Sequence, residues 1–260
     1  MTRPLSYDFQ KTIYFIILSL SASSALAITN IESQRLSNST EGTSGSVSLA
    51  LDGRIGESDK FALGTSIKLI KRNQRSEIIT IISRDYAEVD DVVNTDESFI
   101  HLRYLHKYSN NWGQEVFSQY QEDKFSFLKK RSLIGAGARY TLTQAENRQS
   151  ANHFGIGLFY ENEVYISSIN VADEHAVRFN IYWAYKNNLA NTIQYTSTLY
   201  LQSKTNRLAD QKGIWQNAVT ISVTSTINLS LSWDIEHDTE TPTNRNNTET
   251  SYDSVLIYNF

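Results

Sequence analysis

The chain has 260 residues, no cysteine and a formal net charge of −4 at pH 7. The lack of cysteine excludes disulfides, thiol nucleophiles, cysteine-containing zinc sites and a lipid-anchored lipoprotein. The acidic balance argues against a nucleic-acid partner, because the chain carries no basic patch that would neutralise phosphates.

The first 27 residues have the order of a secretory signal peptide. Arg3 and Lys11 are its basic residues, an apolar run follows at 13–20, and small residues lead to Ala25-Leu26-Ala27. The alternative is a membrane anchor, which needs roughly 18–20 apolar residues, and this run is shorter. We therefore expect a signal peptide over 1–27 with cleavage after Ala27. Residues 28–43 are polar and show no period, which predicts a flexible periplasmic leader.

Twelve later segments alternate apolar and polar residues with period 2, the pattern of half-buried strands. They cover about 44–55, 59–71, 75–86, 97–108, 112–122, 131–143, 153–165, 175–187, 191–203, 214–225, 228–237 and 252–260. Aromatic residues make up 12% of a chain whose mean hydropathy is −0.39. This combination predicts an all-β fold over 44–260, an antiparallel up-and-down transmembrane β-barrel of about 12 strands. Merging or splitting the ambiguous third and fifth segments gives roughly 10 to 14 strands. A secreted soluble β-protein is the alternative.

The connections between these segments alternate in length, as in barrels whose two termini lie in the periplasm. Short turns are predicted at 73–74, 109–111, 187–190 and 225–227, and longer connections at 85–96, 204–213 and 236–250. Two connections depart from this pattern, the short first one near Gly56 and the long sixth one at 144–152. A sandwich has no reason to alternate loop length by side, so the pattern favours the barrel.

The last segment resembles the closing strand of bacterial outer-membrane barrels. It places Tyr252, Leu256, Tyr258 and Phe260 on one face, which we expect to contact lipid. The resemblance implies that Tyr258 and Phe260 belong to the signal read by the barrel-assembly machinery. We expect this strand to pair with the first one around 47–51.

Two segments carry a further resemblance. The stretch from Arg131 to Tyr140 (RSLIGAGARY) and the stretch from Gly155 to Glu163 (GIGLFYENE) are similar to the salt-induced outer membrane protein family. The third to fifth segments show no such similarity. The resemblance implies a barrel in the bacterial cell outer membrane and brings no established chemistry.

The same two segments supply candidate lumen residues. A hairpin centred on Asn147 would place Arg131 opposite Glu163 and Gly135 opposite Phe159, with the glycines leaving room for a bulky side chain. The polar candidates for the lumen are Arg131, Arg139, Glu161, Glu163 and Arg178. They would form either a constriction that tunes solute passage or a structural plug in which charges find partners, and the plug is the favoured interpretation.

Other motifs give no indication of catalysis. The five histidines are scattered, and no nucleophile elbow or metal-spaced pair stands out, so we expect no enzyme, no cofactor and no metal site. His101 and His106 should face opposite sides of one strand. The acidic stretch 85–91 is interpreted as solvated surface charge rather than a site for divalent cations that bridge lipopolysaccharide phosphates. Aromatic girdles are predicted from Tyr104, Tyr108, Trp183, Tyr185, Trp215 and Trp233.

Together these features predict a structural or stress-related outer-membrane protein with at most weak passive permeability. The alternative is a narrow, solute-selective channel. Outer-membrane lipid, lipopolysaccharide and the assembly machinery are the expected partners, and we expect a monomer.

Overall fold

The computed structural model describes residues 41–56, 58–125, 128–144, 150–166, 172–241 and 246–260. The predicted signal peptide, 1–27, and most of the predicted leader, 28–43, lie outside these ranges. The first strand begins at Gly42, so the last two residues assigned to the leader belong to the barrel wall. No helix in the described ranges is long and apolar enough to cross a membrane.

In these ranges, twelve antiparallel strands form a closed barrel in which each strand pairs with its neighbours in sequence and β12 pairs with β1. The predicted fold class and strand number are confirmed. The strands are β1 Gly42–Arg54, β2 Lys60–Arg72, β3 Ser76–Val89, β4 Val92–Lys107, β5 Trp112–Asp123, β6 Leu128–Gln144, β7 Ser150–Tyr165, β8 Glu174–Ala190, β9 Ile193–Lys204, β10 Gln211–Ser222, β11 Ile227–Asp238 and β12 Thr248–Asn259.

The period-2 pattern directs apolar residues outward and mostly polar residues into the lumen. The third segment, with isoleucines on both faces, shows how the barrel resolves an ambiguous pattern. Ile78 and Ile82 are exposed on the outer surface, whereas Ile79 and Ile81 are buried in the lumen. In β5, Val116 is outward and Phe117 inward, which settles the other ambiguous segment. A large exposed apolar surface surrounds the whole wall, as a lipid-facing barrel requires.

One predicted connection is wrong. The segment 85–96 was expected to be a long loop, but β3 continues to Val89 and β4 starts at Val92. Asp90 and Asp91 form a two-residue turn with φ of 51° and 61°. Two successive positive φ angles are typical of a type I′ hairpin turn, and aspartate tolerates this region better than most residues. The acidic stretch is therefore mostly strand, and Asp85 faces the lumen.

The two rims of the barrel differ. The connections 73–75, 108–111, 191–192 and 223–226 lie at the rim that also carries the start of β1 and the end of β12. The predicted turn at 187–190 is part of β8, and the chain reverses one step later at 191–192. The longer connections 166–173, 205–210 and 239–247 lie at the opposite rim. We call these the terminus rim and the loop rim.

The closing strand pairs with β1 as predicted. Val47 is opposite Tyr258 and Leu49 opposite Leu256. Gly45 and Phe260 exchange two backbone hydrogen bonds, each of 3.0 Å. A Cβ on Gly45 would lie 2.6 Å from the Phe260 ring, so the terminal aromatic ring packs directly over this glycine.

Candidate functional site: the barrel lumen

The register of β6 and β7 brings the predicted lumen residues together. Arg131 is opposite Glu163, and Gly135 is opposite Phe159, as a hairpin centred on Asn147 requires. All five polar candidates, Arg131, Arg139, Glu161, Glu163 and Arg178, are buried inside the barrel. Four of them join one ionic network near the loop rim, and Arg139 belongs to a second cluster closer to the terminus rim.

Glu161 is the centre of the ionic network. Its side chain is fully buried and accepts hydrogen bonds from two guanidinium groups. Arg131 donates through Nη2 at 2.7 Å, and Arg178 donates through Nε. Arg131 also lies 3.2 Å from Glu163, which in turn accepts a 2.8 Å bond from Lys212. Since a buried charge is tolerated only with partners, this sharing of carboxylates fixes β6, β7, β8 and β10 relative to each other.

The connection 205–210 contributes to the same network from the loop rim. Asp210 is completely buried and accepts a 2.8 Å bond from Arg178 Nη1 and lies 2.5 Å from Lys204 Nζ. Burial raises the pKa of Asp210, but the hydrogen bonds from Lys204 and Arg178 outweigh it and hold the pKa below its ordinary value. Arg207 of this connection also forms a 3.0 Å ion pair with Glu240 in the next loop. The loop is thus attached to the lumen by charge.

The second cluster surrounds Tyr182. Its hydroxyl donates to Glu115 at 2.9 Å and accepts from Arg139 at 3.1 Å. Arg103 lies 3.3 Å from Glu115 and 5.2 Å above the Phe117 ring. These contacts fill the lumen between β4 and β8 with interlocked rings and charges.

Glycines of the two family-like segments create the space for these rings. A Cβ on Gly155 would lie 2.0 Å from the Tyr182 ring. A Cβ on Gly135 would lie 2.5 Å from Phe117 and 2.6 Å from Phe159. The predicted use of glycine beside Phe159 is confirmed.

The opposite half of the lumen is emptier. Lumen-facing residues of β11, β12, β1 and β2 are mostly small and only half-buried: Ser230, Ser232, Ser251, Ser48, Ala50, Ala62, Gly64 and Ser66. Asp85 and Asp253 are exposed to solvent although they point into the barrel. The fill is therefore one-sided. We call the side formed by the eight strands β3–β10 the packed half and the side formed by the four strands β11, β12, β1 and β2 the open half, although the two sides are unequal.

An acidic band runs from this open half onto the neighbouring strands β3, β4 and β5. Its members are the lumen-facing carboxylates Asp85, Glu97, Asp123, Asp234, Glu236, Glu249 and Asp253. Asp253 interacts electrostatically with both Asp85 and Asp234. Glu97 interacts in the same way with Asp85 and with Glu236, so the band is continuous.

Two carboxylates of the band accept hydrogen bonds from side-chain amides. Gln121 donates to Glu97 at 2.8 Å, and Gln216 donates to Asp234 at 3.1 Å. Within the described ranges, no three carboxylates or histidines come together in a group that would hold a metal ion. The carboxylates of the band are therefore spread along the wall and not gathered at one point.

The predicted histidine placement is also observed. His101 is buried in the lumen between the Phe99 and Phe117 rings, and His106 stacks with Tyr104 on the other face of the strand. Sequence reasoning missed Asp210, Lys212 and most of the acidic band. Their inward direction follows from period 2, but their proximity follows only from barrel closure.

The sequence matches, over residues 47–260, the family described as protein of unknown function, DUF481. The chain belongs to this family. The family description assigns no activity and does not mention salt induction, so that part of the resemblance stays a prediction. No curated protein matches the sequence.

Two solved structures show the same fold. The translocator domain of the autotransporter NalP from Neisseria meningitidis is 8% identical, covers 88% of this chain and 91% of its own, and has a TM-score of 0.52. The NanC porin is 13% identical, covers 83% of this chain and 98% of its own, and has a TM-score of 0.51. At these identities the similarity concerns the barrel and not its activity.

Proposed function

We propose that this protein is an outer-membrane barrel whose acidic, half-open lumen passes small cations slowly. The carrying observation is that Asp85 and Asp253 point into the barrel and are solvent-exposed there, beside small side chains of the wall. Carboxylates on the wall of an aqueous path favour cations over anions. The packed half narrows the path, so the expected conductance is low and the pathway excludes large solutes. No catalytic step or cofactor is part of the proposal.

A structural, stress-related role is the second candidate. It is favoured by the ionic network, which joins β6, β7, β8 and β10 inside the barrel near the loop rim. In this case the charges serve rigidity alone and no current passes. Both candidates share the location and differ in conductance.

The distribution of charged residues on the outer surface supports one orientation of the barrel in the membrane. In the described strands, outward-facing positions of β7–β12 and β1 carry no Asp, Glu, Lys or Arg, whereas β3–β6 carry a charged strip near the loop rim. Arg84, Lys124 and Lys130 are 60%, 57% and 42% exposed, while their partners Asp96 and Glu122 are only 12% and 31% exposed. The basic side chains of the strip are thus more exposed than the acidic side chains that they contact. We propose that the loop rim lies in the outer leaflet, where these cations contact lipopolysaccharide phosphates.

The terminus rim then lies at the periplasmic side. Tyr258 and Phe260 are exposed on the lipid face and stack on each other there. This position suits recognition by the barrel-assembly machinery before the seam closes. A monomeric barrel is sufficient for the proposed pathway.

Reversal potentials across planar bilayers in a potassium chloride gradient test the proposed permeation. We expect cation preference in the wild type, and we expect it to fall towards that of free solution in an Asp85→Asn/Asp253→Asn double variant. Glu122→Gln, which alters a carboxylate on the outer surface, is the matched control and should keep the wild-type preference. A barrel that folds in lipid but carries no current would favour the structural role. Outer-membrane fractionation of the native host tests the location.

A further inference from the structure

The seam between β1 and β12 is paired over only part of its length. The pairing runs from Ser46 opposite Asn259 to Leu49 opposite Leu256 and stops there. Both strands continue beyond this point, β1 to Arg54 and β12 back to Thr248. On their other sides they remain paired to their ends, as Arg54 with Lys60 shows for β1.

The residues that border the unpaired part of the seam are accessible to solvent on both faces. Leu51 is 69% and Tyr252 61% exposed on the outside, and Asp52 and Asp253 are exposed on the inside. Because the pairing stops after Leu49 and Leu256, a lateral gap separates β1 from β12 on the loop-rim half of the seam.

The gap lies beside the lipid-facing surface. The last pair before the gap, Leu49 and Leu256, is outward-facing and exposed. Tyr252, which lies closer to the loop rim, is also outward-facing and exposed. Unpaired backbone groups are strongly unfavourable in hydrocarbon, so a gap at this depth persists only if water reaches it. The open half of the lumen lies directly behind it and supplies that water.

Two different chemistries meet at the gap. Its outer edges are apolar, with Leu51 on β1 and Tyr252 on β12. Its inner edges carry carboxylates, Asp52, which is bound by Lys60 at 2.7 Å, and Asp253, which continues into the acidic band through Asp85. A molecule that fits both has an alkyl chain and a positive head. We propose that the gap is a lateral entry for cationic amphiphiles, with the tail in the outer leaflet and the ammonium head in the acidic band.

A second copy of the chain is a less suitable occupant. A two-fold edge pairing would bring the Asp52 or Asp253 carboxylates of the two copies close together, and like charges across a strand pair are destabilising. The proposal rests on the membrane location given above, but it does not require that the lumen conducts.

The cysteine-free sequence allows a direct test of the gap. Ser48→Cys/Ile257→Cys places two thiols at a paired, lumen-facing position of the seam. Ala50→Cys/Val255→Cys places them at the next lumen-facing position in the same register. A disulfide needs Cα atoms about 4.4–6.8 Å apart. In folded, heat-modifiable protein we expect the first pair to oxidise readily and the second to remain reduced and reactive with maleimide.

The occupant is tested with the single variant Val255→Cys in phosphatidylcholine vesicles. Dodecyltrimethylammonium at a low mole fraction should slow labelling by a water-soluble maleimide by roughly fivefold or more, as expected for one charge near carboxylates. Dodecyl sulfate and tetramethylammonium, which lack the positive head and the tail respectively, should not protect. An Asp253→Asn background should reduce the protection by the alkylammonium compound.

Two results would overturn the inference. Equal oxidation of the two cysteine pairs would show that the seam is closed along its length. Equal protection by dodecyl sulfate would show that the acidic band does not select the ligand. Loss of heat modifiability in the wild type would instead refute the barrel in the membrane, so the two failures are distinguishable.

Discussion

Replacement of Glu161 by glutamine tests whether the ionic network excludes water and stabilises the folded barrel. The substitution preserves shape but removes the charge shared by Arg131 and Arg178. Loss of one partner from a buried ion pair costs about 3–5 kcal/mol. Each arginine keeps a second carboxylate, Glu163 at 3.2 Å and Asp210 at 2.8 Å. We therefore expect the lower end of that range, about 3 kcal/mol of unfolding free energy.

Urea unfolding of the protein in lipid vesicles, followed by the fluorescence of its 4 tryptophans, measures this loss. With a slope of about 2 kcal/mol/M, the midpoint should fall by roughly 1.5 M. Glu122→Gln is the control, because its partner Lys130 is 3.8 Å away on the outer surface and such pairs contribute less than about 1 kcal/mol. A loss for Glu161→Gln no larger than the control would refute the argument, since it would mean that water screens the network.

Three further predictions follow from other contacts. Gly155→Ala should cost about 1–3 kcal/mol in the same urea assay, because its Cβ would overlap the ring of Tyr182, which is hydrogen-bonded on both sides. Asp210→Asn should flatten the acid limb of the stability curve: the lowered pKa gives stability that is complete above the unfolded value of about 3.9 and is lost as pH falls towards the folded value. Phe260→Ala should slow assembly into vesicles, measured as the heat-modifiable fraction over time, because it removes the ring that covers Gly45 at the seam.

Two of these variants have a matched control, and the third has a result that would contradict it. Gly213→Ala should be nearly neutral, since the nearest atom to its Cβ is 3.7 Å away, and a loss equal to that of Gly155→Ala would contradict the packing argument. An unchanged acid limb in Asp210→Asn would assign the acid sensitivity to other carboxylates. Phe179→Ala removes an outward aromatic ring far from the seam, and equal slowing by both variants would make the effect one of general hydrophobicity.

Much of the barrel follows from local pattern. Period 2 predicts which face of each strand is apolar, and a hairpin centre at Asn147 predicts the register of β6 with β7. The turn at Asp90 and Asp91 was missed because a run of acidic residues has low strand propensity, and the two flanking strands override it by continuing their ladder to the turn.

The lumen was less predictable for a geometric reason. Lys212 contacts Glu163 across strands that are not neighbours, so the contact depends on barrel diameter and stagger rather than on spacing along the chain. The open half was not predicted because the free space in the lumen depends on the side chains of several strands together. A single small residue such as Ser232 or Ala50 does not indicate this space. The space arises because small residues line four adjacent strands.

The ionic network has a consequence for the route of folding. Glu161, Arg131, Arg178 and Lys212 lie on strands that follow one another from β6 to β10, so their contacts form by adding successive hairpins. The short seam at Leu49 and Leu256 requires the first and last strands to meet. Loop-closure entropy makes such a distant contact the slowest to form. We therefore expect a curved sheet of β6 to β10, held together by the ion pairs, to form first. Closure between β1 and β12 should be the last event.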